Sequence, residues 1–155
     1  MNIADIVQIG SVLSPLHVQN KKQLLNEIAT ALSVAAGVEA RPVFEALLQR
    51  EKLGSTGLGQ GIAIPHGRIA GLTKVHGVFA RLSHPLAFDA TDGEPVDLIF
   101  ALASPPQSGA DHLTALARVS RLLRDHATLV KLRGTESPDG LYAILTEPAA
   151  TATAA

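Results

Sequence analysis

Six histidines are the side chains of this chain best suited to proton or group transfer near neutral pH, and one of them stands in a stretch built to display it. Residues 53–68 read LGSTGLGQGIAIPHGR, a glycine-rich loop running into a short apolar segment that ends on Pro65 and His66. Ile62, Ala63 and Ile64 are too few and too apolar for a strand with one wet face, so they predict a buried inner strand. Pro65 has no N–H to donate and closes the hydrogen-bond ladder, which puts His66 at a strand end. Gly67 leaves its backbone uncrowded, and Arg68 follows one step further on. A neutral imidazole displayed in this way can act as a nucleophile through one ring nitrogen while a hydrogen bond holds the other. The same residues, taken alone, also fit a loop histidine with no task.

A second histidine, His112, opens the segment DHLTALARVSRLLR at 111–124. Its apolar spacing predicts a helix with Leu113, Leu116, Ala117, Val119 or Ser120, and Leu123 inward, and with Arg118, Arg121 and Arg124 outward. A helix N-terminus offers N–H groups and a partial positive charge, which suit a phosphate and keep a nearby imidazole neutral. His112 therefore either supports such a ligand or merely caps its own helix. Arg50, taken alone, is a solvated cation at a helix C-terminus, and Ser55 and Thr56 are hydroxyl donors to a phosphate or ordinary turn residues. His17, His76, His84 and His126 have no helpful neighbours in sequence. The acidic group Asp89, Asp92, Glu94 and Asp97 reads as a wet loop on which a basic partner could dock. A metal site needs three or four ligands, and only His66, His112 and Asp111 suggest themselves. The run Gly57-Leu58-Gly59-Gln60-Gly61 precedes a strand instead of following one and opening a helix, so it is not a dinucleotide fingerprint. No H-E-x-x-H, G-x-S-x-G or Walker string is present.

The elements that must hold these groups follow from patterning. Residues 1–19 hold two short apolar segments split by Gly10-Ser11 and punctuated by Pro15, read as irregular with a possible edge strand. Asn20 and Gln23 form a capping pair for a helix with Leu24, Leu25, Ile28, Leu32 and Ala35 at helical spacing up to Gly37. Pro42 sits in the first turn of a second helix, whose stripe is Val43, Phe44, Leu47 and Leu48 and which ends on Gln49, Arg50 and Glu51. Val75–Leu82 and Val96–Ala103 predict buried strands. The loop SHPLAFDATDGEP between them carries an apolar clip at Leu86–Phe88, and SPPQSGA is a loop. Ser137 caps a last helix with Pro138 at its first position, packed by Leu141, Tyr142 and Leu145. Strands alternating with helices indicate a single α/β layered domain with a mixed central sheet flanked by helices. Open sheets of this kind gather ligands at the carboxyl ends of their strands, where His66 and His112 could share a cleft.

Composition narrows the function classes. A net charge of −1 gives no basic footprint for nucleic acid. The absence of cysteine removes thiolate catalysis and Cys-based zinc sites, and fits a reducing compartment. The N-terminus has no signal-peptide pattern, and the most apolar run, 96–103, is far shorter than the ~20 residues of a membrane span, so a cytoplasmic protein without membrane insertion is expected.

The GIAIPH string, with the segments around it from Asn20 to Glu147, resembles the mannitol/fructose-type IIA domains of the phosphoenolpyruvate-dependent sugar phosphotransferase system. FDA-DGEPVDLIF and ADHL-ALARVSRLLRD are most similar to its nitrogen-regulatory branch. The resemblance implies an enzyme IIA type-2 domain over 1–147; the tail at 148–155 has nothing to bury and is expected to be disordered. It implies that His66 carries a phosphoryl group on Nε2, the tele nitrogen, received from a histidine phosphocarrier protein. His112 in the ADHL segment and Arg50 in the LLxRE segment match residues close to that group, and Ser55, Thr56 and Arg68 are candidate phosphate contacts. No cofactor and no metal are implied. A lone domain without a fused IIB or IIC segment suits a regulator acting on target proteins. The alternatives are a sugar-specific IIA component that passes phosphate to a separate IIB, and a metal-dependent hydrolase.

Overall fold

A computed structural model describes residues 1–147; the expected disordered tail at 148–155 lies outside the described residues. A 3-10 turn at Ile3–Asp5 leads into β1 (Val7–Leu16), followed by α1 (Lys21–Ala36), α2 (Ala40–Lys52), β2 (Gly57–Gly59), β3 (Ile62–Ala63), β4 (His66–Arg68), β5 (His76–Leu86), β6 (Val96–Ser104), α3 (Gly109–Arg124), α4 (His126–Arg133) and α5 (Pro138–Leu145). The strands form one sheet in the order β1-β5-β6-β3-β2, with β4 also paired to β6. β1 and β5 are parallel, β5 and β6 antiparallel, and β3 and β4 both run parallel to β6, so the sheet is mixed and the domain is α/β.

Strand residues alternate between two apolar cores, which is why β5 and β6 read as continuous hydrophobic runs. Val78, Ala80, Ile99, Ala101 and Ala103 face α1 and α2, packing on Leu24, Leu25, Ile28, Val43 and Leu47. Phe79, Leu98, Phe100 and Leu102 face the other way, onto Ala115, Val119 and Leu123 of α3 and the last two helices. Helix ends follow their caps. Asn20 accepts from the N–H of Gln23 at 2.8 Å, Gln23 accepts in turn from the N–H of Gln19, and Gly37 closes α1 at φ 72°.

Several expectations are revised. The possible edge strand in residues 1–19 is β1, which runs from Val7 to Leu16; its register with β5 shifts between Val7 and Val12, where Gly10-Ser11 stand, and Pro15 is tolerated because β1 lies at the sheet edge. β5 runs on to Leu86, absorbing part of the expected loop. α4 went unread although Asp125 caps it, accepting from the N–H of Thr128 at 3.0 Å. The inward face of α3 is His112, Ala115, Val119 and Leu123: Val119 and Leu123 point inward as predicted, while at the first turn Leu113 is 66% exposed and His112 is buried in its place.

Candidate functional site

The strand expected to end at Pro65 pauses there and resumes. β3 pairs with Leu98 and Ile99 of β6, β4 pairs with Leu102 through Ser104, and the two residues between them, Ile64 and Pro65, leave the ladder. Pro65 cannot donate, yet its carbonyl still accepts from the N–H of Leu102 at 2.9 Å, and Ile64 turns its N–H to Thr56 O at 3.1 Å. His66 is thus the first residue after a break inside an edge-side strand. The break brings the Ile64 carbonyl to Nδ1 of His66 at 2.7 Å. A carbonyl only accepts, so in the neutral ring Nδ1 carries the proton and Nε2 the lone pair.

The glycine-rich loop is shaped by close approach. A side chain at Gly57 would stand 2.8 Å from Ala90 Cβ and 2.9 Å from its Cα. Gly61, at φ 79°, leaves room for the guanidinium of Arg133, which donates to Gln60 O at 2.6 Å and to both carboxylate oxygens of Asp97. The acidic group at 89–97 is accordingly committed in part: Asp97 is paired, and Asp92 accepts from the N–H groups of Gln60 and Glu94.

His66, Arg50, Ser55, Thr56, Leu58 and Ile64 line a cleft of 330 Å³ closed on its other side by Leu116, Ala117 and Ser120 of α3. A larger groove of 520 Å³ between Asn26 of α1 and Phe44 of α2 holds no imidazole and no acid, so volume alone does not mark the chemistry. Burial is the first cause that lowers the His66 pKa; the bond to Ile64 O opposes it, Arg50 lowers it further, and Glu51 raises it. The His112 ring lies 5.6 Å from that of His66, centroid to centroid. Its own pKa is lowered, first by burial and then by the charges of Arg68 and His66. It does not cap its helix with its side chain: Nδ1 lies 2.6 Å from the hydroxyl of Ser104.

The remaining candidates divide. Arg50 donates from Nη1 to Gly54 O at 2.8 Å, which holds the guanidinium over the loop at the mouth of the cleft. Ser55 already donates to Phe88 O at 2.6 Å, and the hydroxyl of Thr56 donates to Glu51, so the protons expected for a phosphate are spent inside the protein. Arg68 is exposed, outside the cleft lining, and leans to Pro106 O at 3.4 Å. Two residues went unread. Glu51, expected only to end a helix, is buried, bonds the N–H and hydroxyl of Thr56, and pairs with Lys21 at 2.8 Å. Ser104, fully buried, is the partner of His112. Among the described residues, no three His, Asp or Glu side chains converge as a metal ligand set.

The family model for the phosphoenolpyruvate-dependent sugar phosphotransferase system, EIIA 2, matches residues 5–147. The chain is similar to the nitrogen regulatory protein of Bradyrhizobium diazoefficiens, 49% identical over 152 residues that cover 98% of this chain and 99% of that protein. It is 43% identical over 148 residues to the nitrogen regulatory protein of Escherichia coli K12, with 91% of each covered. The crystal structure of nitrogen regulatory protein IIA-Ntr from Neisseria meningitidis superposes with a TM-score of 0.87 at 40% identity, covering 93% of this chain and 99% of that one.

Proposed function

This chain belongs to the phosphoenolpyruvate-dependent sugar phosphotransferase system EIIA 2 family, and from that premise we propose that it is a phosphoryl-accepting regulatory protein, phosphorylated on Nε2 of His66 by a histidine phosphocarrier protein and acting through binding that depends on phosphorylation state. The observation that carries the reading is the hydrogen bond from Nδ1 of His66 to Ile64 O, because it dedicates Nε2 to nucleophilic attack. The Nε2 lone pair attacks phosphorus as the phosphorus–nitrogen bond of the carrier breaks, and that electron pair returns to the carrier's ring. The positive charge that passes to the His66 ring is stabilised at Nδ1–H by the Ile64 carbonyl. Arg50 compensates the phosphoryl oxygens, and the lowered pKa keeps Nε2 unprotonated at neutral pH. Both ends of the exchange are phosphorus–nitrogen bonds, so catalysis reduces to alignment and charge compensation.

The surroundings favour a protein donor over a small molecule. Leu53, Leu58 and Leu113 are exposed in the segments that frame the cleft, and exposed apolar side chains grouped around a reactive imidazole suit macromolecular docking. The regulatory part of the reading is supported by the nitrogen regulatory relatives, which the chain matches over nearly its whole length. Incubation with a phosphorylated carrier tests it: wild type takes up acid-labile label and His66→Ala takes up none. Label persisting in His66→Ala overturns the assignment, and identical protein partners for the phosphorylated and unphosphorylated forms overturn the regulatory reading.

A further inference from the structure

The hydroxyl of Ser104 lies at the end of β6, with no part of the residue exposed. Its oxygen stands 2.6 Å from Nδ1 of His112, and among the described residues it has no other hydrogen-bond partner. Two arrangements satisfy that distance. In one, Nδ1–H donates to the serine oxygen, and the hydroxyl proton then points into a dry core with nothing to accept it. In the other, the hydroxyl donates to a bare Nδ1, and every buried polar atom of the pair is satisfied. A buried donor without an acceptor carries the full cost of its desolvation, so the second arrangement prevails.

We propose that Ser104 is a positioning residue that fixes His112 as the Nε2–H tautomer, so that His112 presents a hydrogen-bond donor beside the bare Nε2 of His66. The inference rests on the reading of His66 as the phosphoryl acceptor. The two neighbouring imidazoles are set in opposite tautomers by the chemistry of their anchors. A carbonyl, which only accepts, draws the proton of His66 to Nδ1. A buried hydroxyl, whose proton has one destination, drives that of His112 to Nε2. The result is one nucleophilic nitrogen and one donor nitrogen on rings 5.6 Å apart, the complement that a phosphoryl group seated on His66 requires.

The test is nitrogen NMR of the unphosphorylated, ¹⁵N-labelled protein at about pH 7.5, above the ordinary imidazole value, combined with transfer kinetics from a phosphorylated carrier. Wild type is expected to show Nδ1–H for His66 and Nε2–H for His112. Ser104→Ala is expected to mix the His112 tautomers while the His66 signals, an internal check on folding, stay in place, and to slow transfer at saturating carrier about two- to tenfold. Ser104→Thr, which keeps the hydroxyl, restores both. An Nδ1–H tautomer for His112 in wild type overturns the proposal, as does a Ser104→Ala protein with wild-type spectrum and wild-type rate. The spectrum needs no phosphate, so a wild type that accepts none would overturn the phosphoryl reading while the tautomer of His112 still decides the role of Ser104.

Discussion

Two pairs of histidines in this protein have nearly the same internal geometry. His66 and His112 stand 5.6 Å apart, centroid to centroid, with their planes at 52°; His17 and His84 stand 5.5 Å apart at 44°. Everything outside the rings differs. His17 and His84 are exposed at the ends of β1 and β5, and the Nδ1 of His17 meets the hydroxyl of Ser83 at 3.0 Å, a group that also reaches Leu16 O. His66 and His112 are anchored to a carbonyl and to a fully buried hydroxyl, and burial lowers both pKa values. Proximity of two imidazoles is therefore not what makes a site; the anchors and the dry surroundings that define each ring nitrogen are.

The comparison breaks most sharply under substitution of the histidines themselves. His66→Gln is expected to abolish phosphate uptake, whereas His17→Gln and His84→Gln keep the wild-type rate within about twofold; a loss in either surface variant, read as initial rate of label incorporation, would undo the distinction. Arg50→Gln comes next. It removes a charged partner of the phosphoryl oxygens, worth about 1.5–3 kcal/mol, and should slow transfer up to about a hundredfold. Because Arg50 lowers the His66 pKa, the same variant should also move the acid limb of the pH–rate profile to higher pH.

His112→Ala should slow transfer roughly ten- to a hundred-fold, and it separates the two pairs in a second way. His112 is 7% exposed, and its loss leaves the Ser104 hydroxyl without an acceptor, so the melt should fall by about 1–3 kcal/mol; His84→Ala, on the surface, should melt like wild type. The smallest effect concerns pH. The pKa values of His66, His76 and His112 are lowered in the folded protein, so the unfolded chain binds protons first as pH falls below 6.5. Stability is fully present above that value and is lost as pH drops through the folded values, giving a Tm that declines on acidification. His76→Gln should flatten the decline.

Legibility divides along the same line. The His66 stretch could be read because Pro65 and the glycines carry strong local meaning, α1 and α5 because their caps lie within three residues of what they cap, and α2 because Pro42 stands in its first turn ahead of an apolar stripe. β1 is legible only as a possible edge strand, since the neighbour that completes it, β5, pairs with it from nearly seventy positions further along the chain. Val119 and Leu123 of α3 face inward as their spacing predicts, but at the first turn His112 is buried in place of Leu113, and only the site explains a buried imidazole. Ser55 and Thr56 were placed at the cleft, but their protons go to Phe88 O and Glu51, partners that a linear reading does not pair. Ser104 and Glu51 were missed for a related reason. A serine closing an apolar run and a glutamate ending a helix look ordinary until the fold puts an imidazole or a loop hydroxyl against them.

The central claim is that the Ile64 carbonyl dedicates Nε2 of His66 to the phosphoryl group. Combined ³¹P and ¹⁵N NMR of the protein phosphorylated by its carrier measures this directly. A single phosphohistidine is expected at His66, with phosphorus bonded to Nε2 and the ring proton still on Nδ1. Phosphorus on Nδ1 of His66, or on His112, would contradict it.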